Sequence, residues 1–383
     1  MTDEKRMTAR VSSVGADDGR SLFNTTIDSI TDEEEEIKAF EEMQRRIKRR
    51  QDPAFLETVT MSELFDSIYE SKPPIVDGLL YRGMYLFVGA PKLGKSFLME
   101  QIAYHVSTGT PLWGFPVRQG TVLYLALEDG YSRLQERLYR MLGAEENQNL
   151  FLSVSAKQLG QGLDEQLSRF RREHPDTSLI IIDTLQKIRE VRGDGYSYAN
   201  DYQIITRLKS FADAHEICLM AVHHTRKQKA DDAFDMISGT NGLIGAADGA
   251  FLLHKEKRTS NEAVLEVCGR DQQDQRLHLI RNEEKLCWDL DHVETELWKA
   301  PPEPLLEEIA KRVTVDRPEW SGSPTGLCDF LDVDMKANAL TQKLNVNAGR
   351  LLREHGIVYW NKRCHAGRQI GLRLERRDDP CRS

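Results

Sequence analysis

Met84-Tyr-Leu-Phe-Val88 runs directly into Gly89-Ala-Pro-Lys-Leu-Gly-Lys95-Ser96, and this junction constrains the fold more than any other stretch. Five apolar or aromatic residues read as a buried strand. The G-x-x-x-x-G-K-S run that follows has the form of a P-loop, and Phe97–Thr108 has helical spacing. Gly89 and Gly94 let the chain turn tightly enough for successive amides to point at one spot, where the helix adds its N-terminal partial charge. Lys95 supplies a full charge for the β- and γ-phosphates, and the Ser96 hydroxyl reaches Mg²⁺. A glycine-rich turn without a ligand is the bland alternative, and the strand-loop-helix order argues against it. The expected nucleotide contacts are Gly89, Ala90, Pro91, Lys92, Leu93, Gly94, Lys95, Ser96 and Phe97.

The pattern downstream alternates. Strands are expected at Thr121–Leu127, Leu150–Val154, Ser178–Ile182, Ile217–Val222, Gly249–Leu253, Ala263–Val267 and Leu277–Ile280, with helices at Tyr131–Leu142, Leu163–His174 and Tyr198–His215. Alternation of this kind predicts an α/β fold: a mostly parallel sheet with helices on both faces.

Three strand tips then carry chemistry. Leu179-Ile-Ile-Ile-Asp183 is a buried strand ending in a carboxylate, the form of a Walker B strand, so Ser96 and Asp183 are the expected Mg²⁺ residues. Thr184 stands where many ATPases have a second acid, so another carboxylate must polarise water. Glu128, at the end of the second strand, is in the right class of position, because ligands of open α/β sheets bind where strand tips gather. It is the expected base, with Asp129 beside it as a cap for the next helix. His223-His224 ends a further strand, and adjacent residues cannot both face the site.

The totals place the chain among globular proteins: 383 residues, 40% hydrophobic and 30% charged. No run approaches the roughly 18 apolar residues of a membrane span, and the N-terminus is polar, so a cytoplasmic protein without membrane contact is expected. Six cysteines stand singly with no C-x-x-C pair, against a zinc site or a disulfide framework. The net charge of −9 is uneven: residues 336–383 carry 11 Lys/Arg against 4 Asp/Glu, a net +7, leaving −16 elsewhere. That points to a localised polyanion contact.

The domain reading is a disordered and helical extension over 1–54, whose helix from Thr31 to about Gln51 either packs on a neighbouring subunit or stays partly solvated. An ATPase domain over 55–296 follows, with a short helix opened by the capping box Thr60–Glu63, then a proline-rich linker over 297–304. A basic helix-helix-helix-strand-strand domain covers 305–376, and 377–383 is a tail.

Leu127-Glu-Asp129 with Arg133-Leu134 and Arg137-Leu138, then I-I-D and V-H-H, resembles the plasmid replicative helicase RepA group of RecA-type hexameric ATPases over about residues 55–290. The resemblance implies a RecA-like P-loop core using ATP and Mg²⁺, with Lys95 and Ser96 on phosphate and metal and Glu128 as base. It also implies Asp183 as the Walker B acid, His224 as γ-phosphate sensor and Arg137 steadying the acid and phosphate. It further implies a hexameric ring acting on DNA, single-stranded in the core. Lys92 departs from the small residue common at its place and resembles mobile-element ATPases. No arginine finger matches uniquely; Lys255, Lys257, Arg258 and Arg270 are the candidates for one offered to a neighbouring subunit. Lys227–Leu243 resembles a DNA-facing loop. The C-terminal region resembles a winged helix of mobile-element replication proteins, with Lys343, Arg350, Arg353, Lys362, Arg363, Arg368 and Arg373 as duplex-backbone contacts. An ATP-switched DNA-binding regulator without unwinding, or a KaiC-like ATPase without nucleic acid, remain the alternatives.

Overall fold

The computed structural model describes residues 44, 52–69, 73–189, 198–224, 241–255, 257, 259–270, 272–295, 301–364 and 367–375. The expected N-terminal helix (Gln44 apart), the DNA-facing loop up to residue 240 and Arg258 lie outside them. The chain divides into two units, residues 1–67 and 68–383.

The first unit holds helix α1 (Met61–Asp66). Its capping box is formed as expected: Glu63 N–H donates to Thr60 Oγ1 at 3.2 Å and Thr60 N–H to the Glu63 carboxylate at 2.7 Å. The helix ends at Asp66, where Ser67 turns extended.

The second unit is α/β. Its large sheet uses β1 (Gly83–Gly89), β2 (Thr121–Ala126), β3 (Leu150–Ser153), β4 (Thr177–Asp183), β5 (Cys218–His224), β6 (Gly249–His254), β7 (Glu262–Gly269), β8 (Gln272–Arg281) and β9 (Trp288–Val293). The order across the sheet is β3-β2-β4-β5-β1-β6-β7-β8-β9. Pairing is parallel from β3 to β6 and antiparallel beyond. Helices α2 (Lys95–Thr108), α3 (Tyr131–Leu142), α4 (Leu163–Glu173), α5 (Leu185–Ile188), α6 (Tyr198–His215) and α7 (Asn241–Ala246) complete the layer. This is the mostly parallel α/β architecture the sequence led us to expect.

Strands β1, β2 and β4 are buried along their whole length, so their side chains alternate between two cores. Tyr85, Phe87, Val122, Tyr124, Leu179 and Ile181 face one side, against Leu98, Ile102 and Val106 of α2. Met84, Leu86, Val88, Ile180 and Ile182 face the other, against Leu167 of α4 and Ile205 and Leu208 of α6. Each such side chain contributes about 1.5–3 kcal/mol through burial.

Strand β9 went unread in the sequence. Trp288-Asp-Leu-Asp-His-Val looks like a polar loop because of its two acids, yet Asp289 and Asp291 face solvent while Trp288 is buried. A third core, around Leu306, Ile309, Leu327, Leu340, Leu344 and Ile370, belongs to the C-terminal elements. These are α8 (Pro304–Arg312), β10 (Glu319–Gly322), α9 (Pro324–Leu331), α10 (Ala337–His355), β11 (Ile357–Cys364) and β12 (Gly367–Leu374), with sheet order β10-β12-β11. Strand β10 went unread because it has three polar or small residues and one Trp. The β11–β12 hairpin pairs as far as Cys364 and Gly367. Among the described residues no helix is long and apolar enough to cross a membrane.

Candidate nucleotide site

The tips of β1, β4, β5 and β2 converge on one cavity of about 470 Å³, lined among others by Lys92, Gly94, Lys95, Ser96, Phe97, Glu128, Arg137, Asp183 and His224. The sheet order separates β1 from β2 by two strands, so the acid reaches the P-loop across the tips of β5 and β4.

The loop's backbone explains its glycines. Gly94 has φ +95, the left-handed region that favours glycine, and a Cβ on Gly89 would lie 2.6 Å from the Leu253 carbonyl oxygen of β6. Lys92 also takes a positive φ of 65, a conformation uncommon for a residue with a side chain. It is exposed at the cavity rim.

Lys95 is buried. Its ammonium donates to the Gly89 carbonyl at 2.9 Å, the Ala90 carbonyl at 2.9 Å and Nδ1 of His224 at 2.9 Å. An ammonium has no acceptor, so Nδ1 accepts and the ring proton sits on Nε2. Burial and the neighbouring Lys95 hold His224 below its ordinary value, keeping it neutral. Burial also lowers Lys95, to about 8, against the pull of Asp183 and Glu128.

Burial raises Asp183, opposed by hydrogen bonds from Ser96 and Tyr124. The Tyr124 hydroxyl donates at 2.9 Å. A serine hydroxyl already directed at a buried carboxylate is a hard-oxygen donor set that fits Mg²⁺. Glu128 is held by Thr184, whose Oγ1 donates to Oε1 at 3.1 Å. Thr184, which stands where many ATPases have a second acid, is thus the residue that holds Glu128.

Arg137 stands at the cavity but bonds differently from the expectation. It donates to Glu100 at 2.6 Å and Asp129 at 2.9 Å, so its link to Glu128 runs through the neighbouring acid. Asp129 therefore does not cap α3; Gly130 is the N-cap, and Asp129 pairs with Arg133 and Arg137. Burial raises Glu100 to about 8, with Arg137 opposing.

Of the finger candidates, Lys255 lines its own chain's cavity and donates to the Ser260 carbonyl at 2.7 Å, which is not the placement of a residue reaching a neighbour's site. Lys257 is exposed, and the Arg270 amide bonds Asp248. Sequence reasoning missed Tyr124, Thr184, Arg281 and Trp288. The alternation of β2 could have pointed Tyr124 at the P-loop helix; the last two needed the antiparallel edge.

A protein-family profile described as an AAA domain matches residues 44–230. No curated protein sequence matches the chain. Among solved structures, one titled as an ATPase domain is 17% identical, covering 67% of this chain and 97% of its own, with a TM-score of 0.47. A DnaB-like replicative helicase, in a structure describing its interactions with primase, is 13% identical over 70% of this chain and 77% of its own, with a TM-score of 0.48. A KaiC-like protein from the hyperthermophilic archaeon Pyrococcus horikoshii OT3 is 10% identical over 59% and 99%, with a TM-score of 0.43.

Proposed function

We propose that the chain is an ATP-hydrolysing motor that acts on DNA, a helicase-like replication ATPase of a plasmid, phage or integrated element. One observation carries the hydrolytic part: Glu128, fixed by Thr184, shares a cavity with Lys95, Ser96, Asp183 and His224. In this reading the loop amides and Lys95 hold the phosphates, and Glu128 orients and deprotonates the attacking water. His224, with its proton on Nε2, donates to the γ-phosphate and senses its loss. Arg137 positions the acid through Asp129. Ser96 and Asp183 would hold Mg²⁺, which when bound neutralises charge on the phosphate oxygens.

The DNA part rests on the C-terminal elements. Helix, strand, two helices and a hairpin, with the short strand beside β12, are in the order of a winged helix. Arg353, Lys362, Arg363 and Arg373 are exposed there, which suits backbone phosphates. Assembly into a ring, with an in-trans cation completing each site, belongs to the same proposal.

The test is ATPase activity with and without single-stranded DNA, with oligomer size measured in the same samples. Glu128→Gln should keep ATP binding and lose at least about 10²-fold in turnover; normal turnover would remove it as the base. Lys95→Ala should abolish binding. An unchanged rate with DNA, together with no retention on DNA at moderate salt, would remove the DNA assignment and leave the ATPase.

A further inference from the structure

The antiparallel edge of the sheet also reaches the nucleotide cavity. Arg281 ends β8 and Trp288 opens β9, directly opposite each other in the ladder. Trp288 is fastened to the P-loop helix: its backbone N–H donates to Gln101 Oε1 at 2.8 Å, and its carbonyl accepts from Gln101 at 2.9 Å and from Trp113 at 2.7 Å. Its indole N–H donates to the Gly94 carbonyl at 3.3 Å.

This framework holds the Arg281 guanidinium 4.1 Å from the Phe97 ring centroid and 5.2 Å from that of Trp288. A Cβ on Gly94 would lie 3.1 Å from Arg281 Nη1. That nitrogen is buried and has no hydrogen-bond partner among the described residues. A buried charged donor without an acceptor is costly. Neighbouring charges are otherwise engaged: Arg137 holds Glu100 Oε1, and Lys255, 5.3 Å from the Trp288 ring, donates to Ser260. Glu100 Oε2 is the nearby acceptor that also lacks a partner.

Two rings occupy the neighbourhood of the guanidinium's faces, so its in-plane N–H groups are what remain to offer. Those suit an anionic oxygen, not a stacked base. They lie beside Gly94 and Phe97, at the start of α2, where P-loop amides cradle the α- and β-phosphates.

The geometry points to Arg281 as a second phosphate-binding cation, supplied in cis by the antiparallel edge, that grips a phosphate common to ADP and ATP. This rests on the triphosphate-site reading above and names a further contact in it.

The experiment measures binding of Mg·ADP and a non-hydrolysable Mg·ATP analogue by calorimetry, with thermal melts with and without nucleotide. Wild type, Arg281→Met and Arg281→Lys are compared. Arg281→Met should weaken both nucleotides by the same factor, about tenfold or more. Without nucleotide it should melt no lower than wild type, since an unpaired buried charge is removed, and it should lose most of the nucleotide-induced rise. Arg281→Lys should recover part of the affinity. Unchanged binding by Arg281→Met overturns the inference alone, as does a loss confined to the ATP analogue. A variant that melts far lower or does not fold also overturns it, because Arg281 would then be a strut paired within the fold. Failure of wild type to bind either nucleotide overturns the site reading and this inference together.

Discussion

Thr184 shows how much one hydroxyl decides. Its bond to Glu128 fixes a carboxylate that would otherwise sample several rotamers beside a strand tip. Thr184→Val should lower kcat roughly tenfold, the worth of a hydrogen bond to a charged group, with KM little changed; Thr184→Ser should restore it. Steady-state kinetics of the pair checks this, and equal loss in both variants would mean the hydroxyl is not the cause. Glu100 gives a pH signature. Burial raises its folded value to about 8, above the ordinary carboxylate range, so between about 4.5 and 8 the folded state binds the extra proton. Stability attributable to Glu100 therefore falls as pH rises through that window. Glu100→Gln should flatten this part of the profile, raising stability relative to wild type more at pH 8 than at pH 5 in chemical denaturation; parallel profiles would refute it. Lys95, Ser96, Glu128, Asp183 and His224, which line one cavity, stood out in the sequence because each ends or follows a buried strand. Thr184 was legible only as an absence, and Tyr124 and Arg281 act through neighbours that only the folded sheet supplies.

Elements differ in legibility for a physical reason. β1, β2 and β4 are covered on both faces, so they must be apolar throughout, and a run such as Leu179-Ile-Ile-Ile admits few other readings. The antiparallel edge has a wet face, and its acids disguise a strand as a loop. There Trp288 carries the packing of β9, fully buried and bonded to Gln101 and Gly94. Trp288→Ala should cost about 3–5 kcal/mol, read from urea unfolding. A loss below about 1 kcal/mol would show that β9 is dispensable to the core. The C-terminal elements were half legible: three helices and a hairpin could be read, while β10, which completes the sheet, could not.

Across the whole molecule, the basic C-terminal end is less uniformly available than its composition suggested. Lys343 pairs with Glu303 at 2.7 Å, and Arg350 bonds Glu354 at 2.6 Å and the Pro301 carbonyl at 2.7 Å. Both help fasten the segment entering α8, whereas Lys362 and Arg363 are exposed near the hairpin's end. Reversing Lys362 and Arg363 should weaken DNA binding and flatten its dependence on log salt by about one unit per lost phosphate contact. Reversing Arg350 should act mainly on stability. Fluorescence anisotropy at several salt concentrations separates them, and an unaltered slope in the hairpin variant would exclude the hairpin from the interface. One arrangement at the P-loop also bears on timing. All three protons of the Lys95 ammonium are committed at home, two to loop carbonyls and one to the His224 ring. An arriving phosphate must win one of them, and the ring is the only partner that a side-chain rotation can release. In the proposed reading, cargo and trigger are therefore latched together: the histidine would be freed by the very molecule whose cleavage it then monitors.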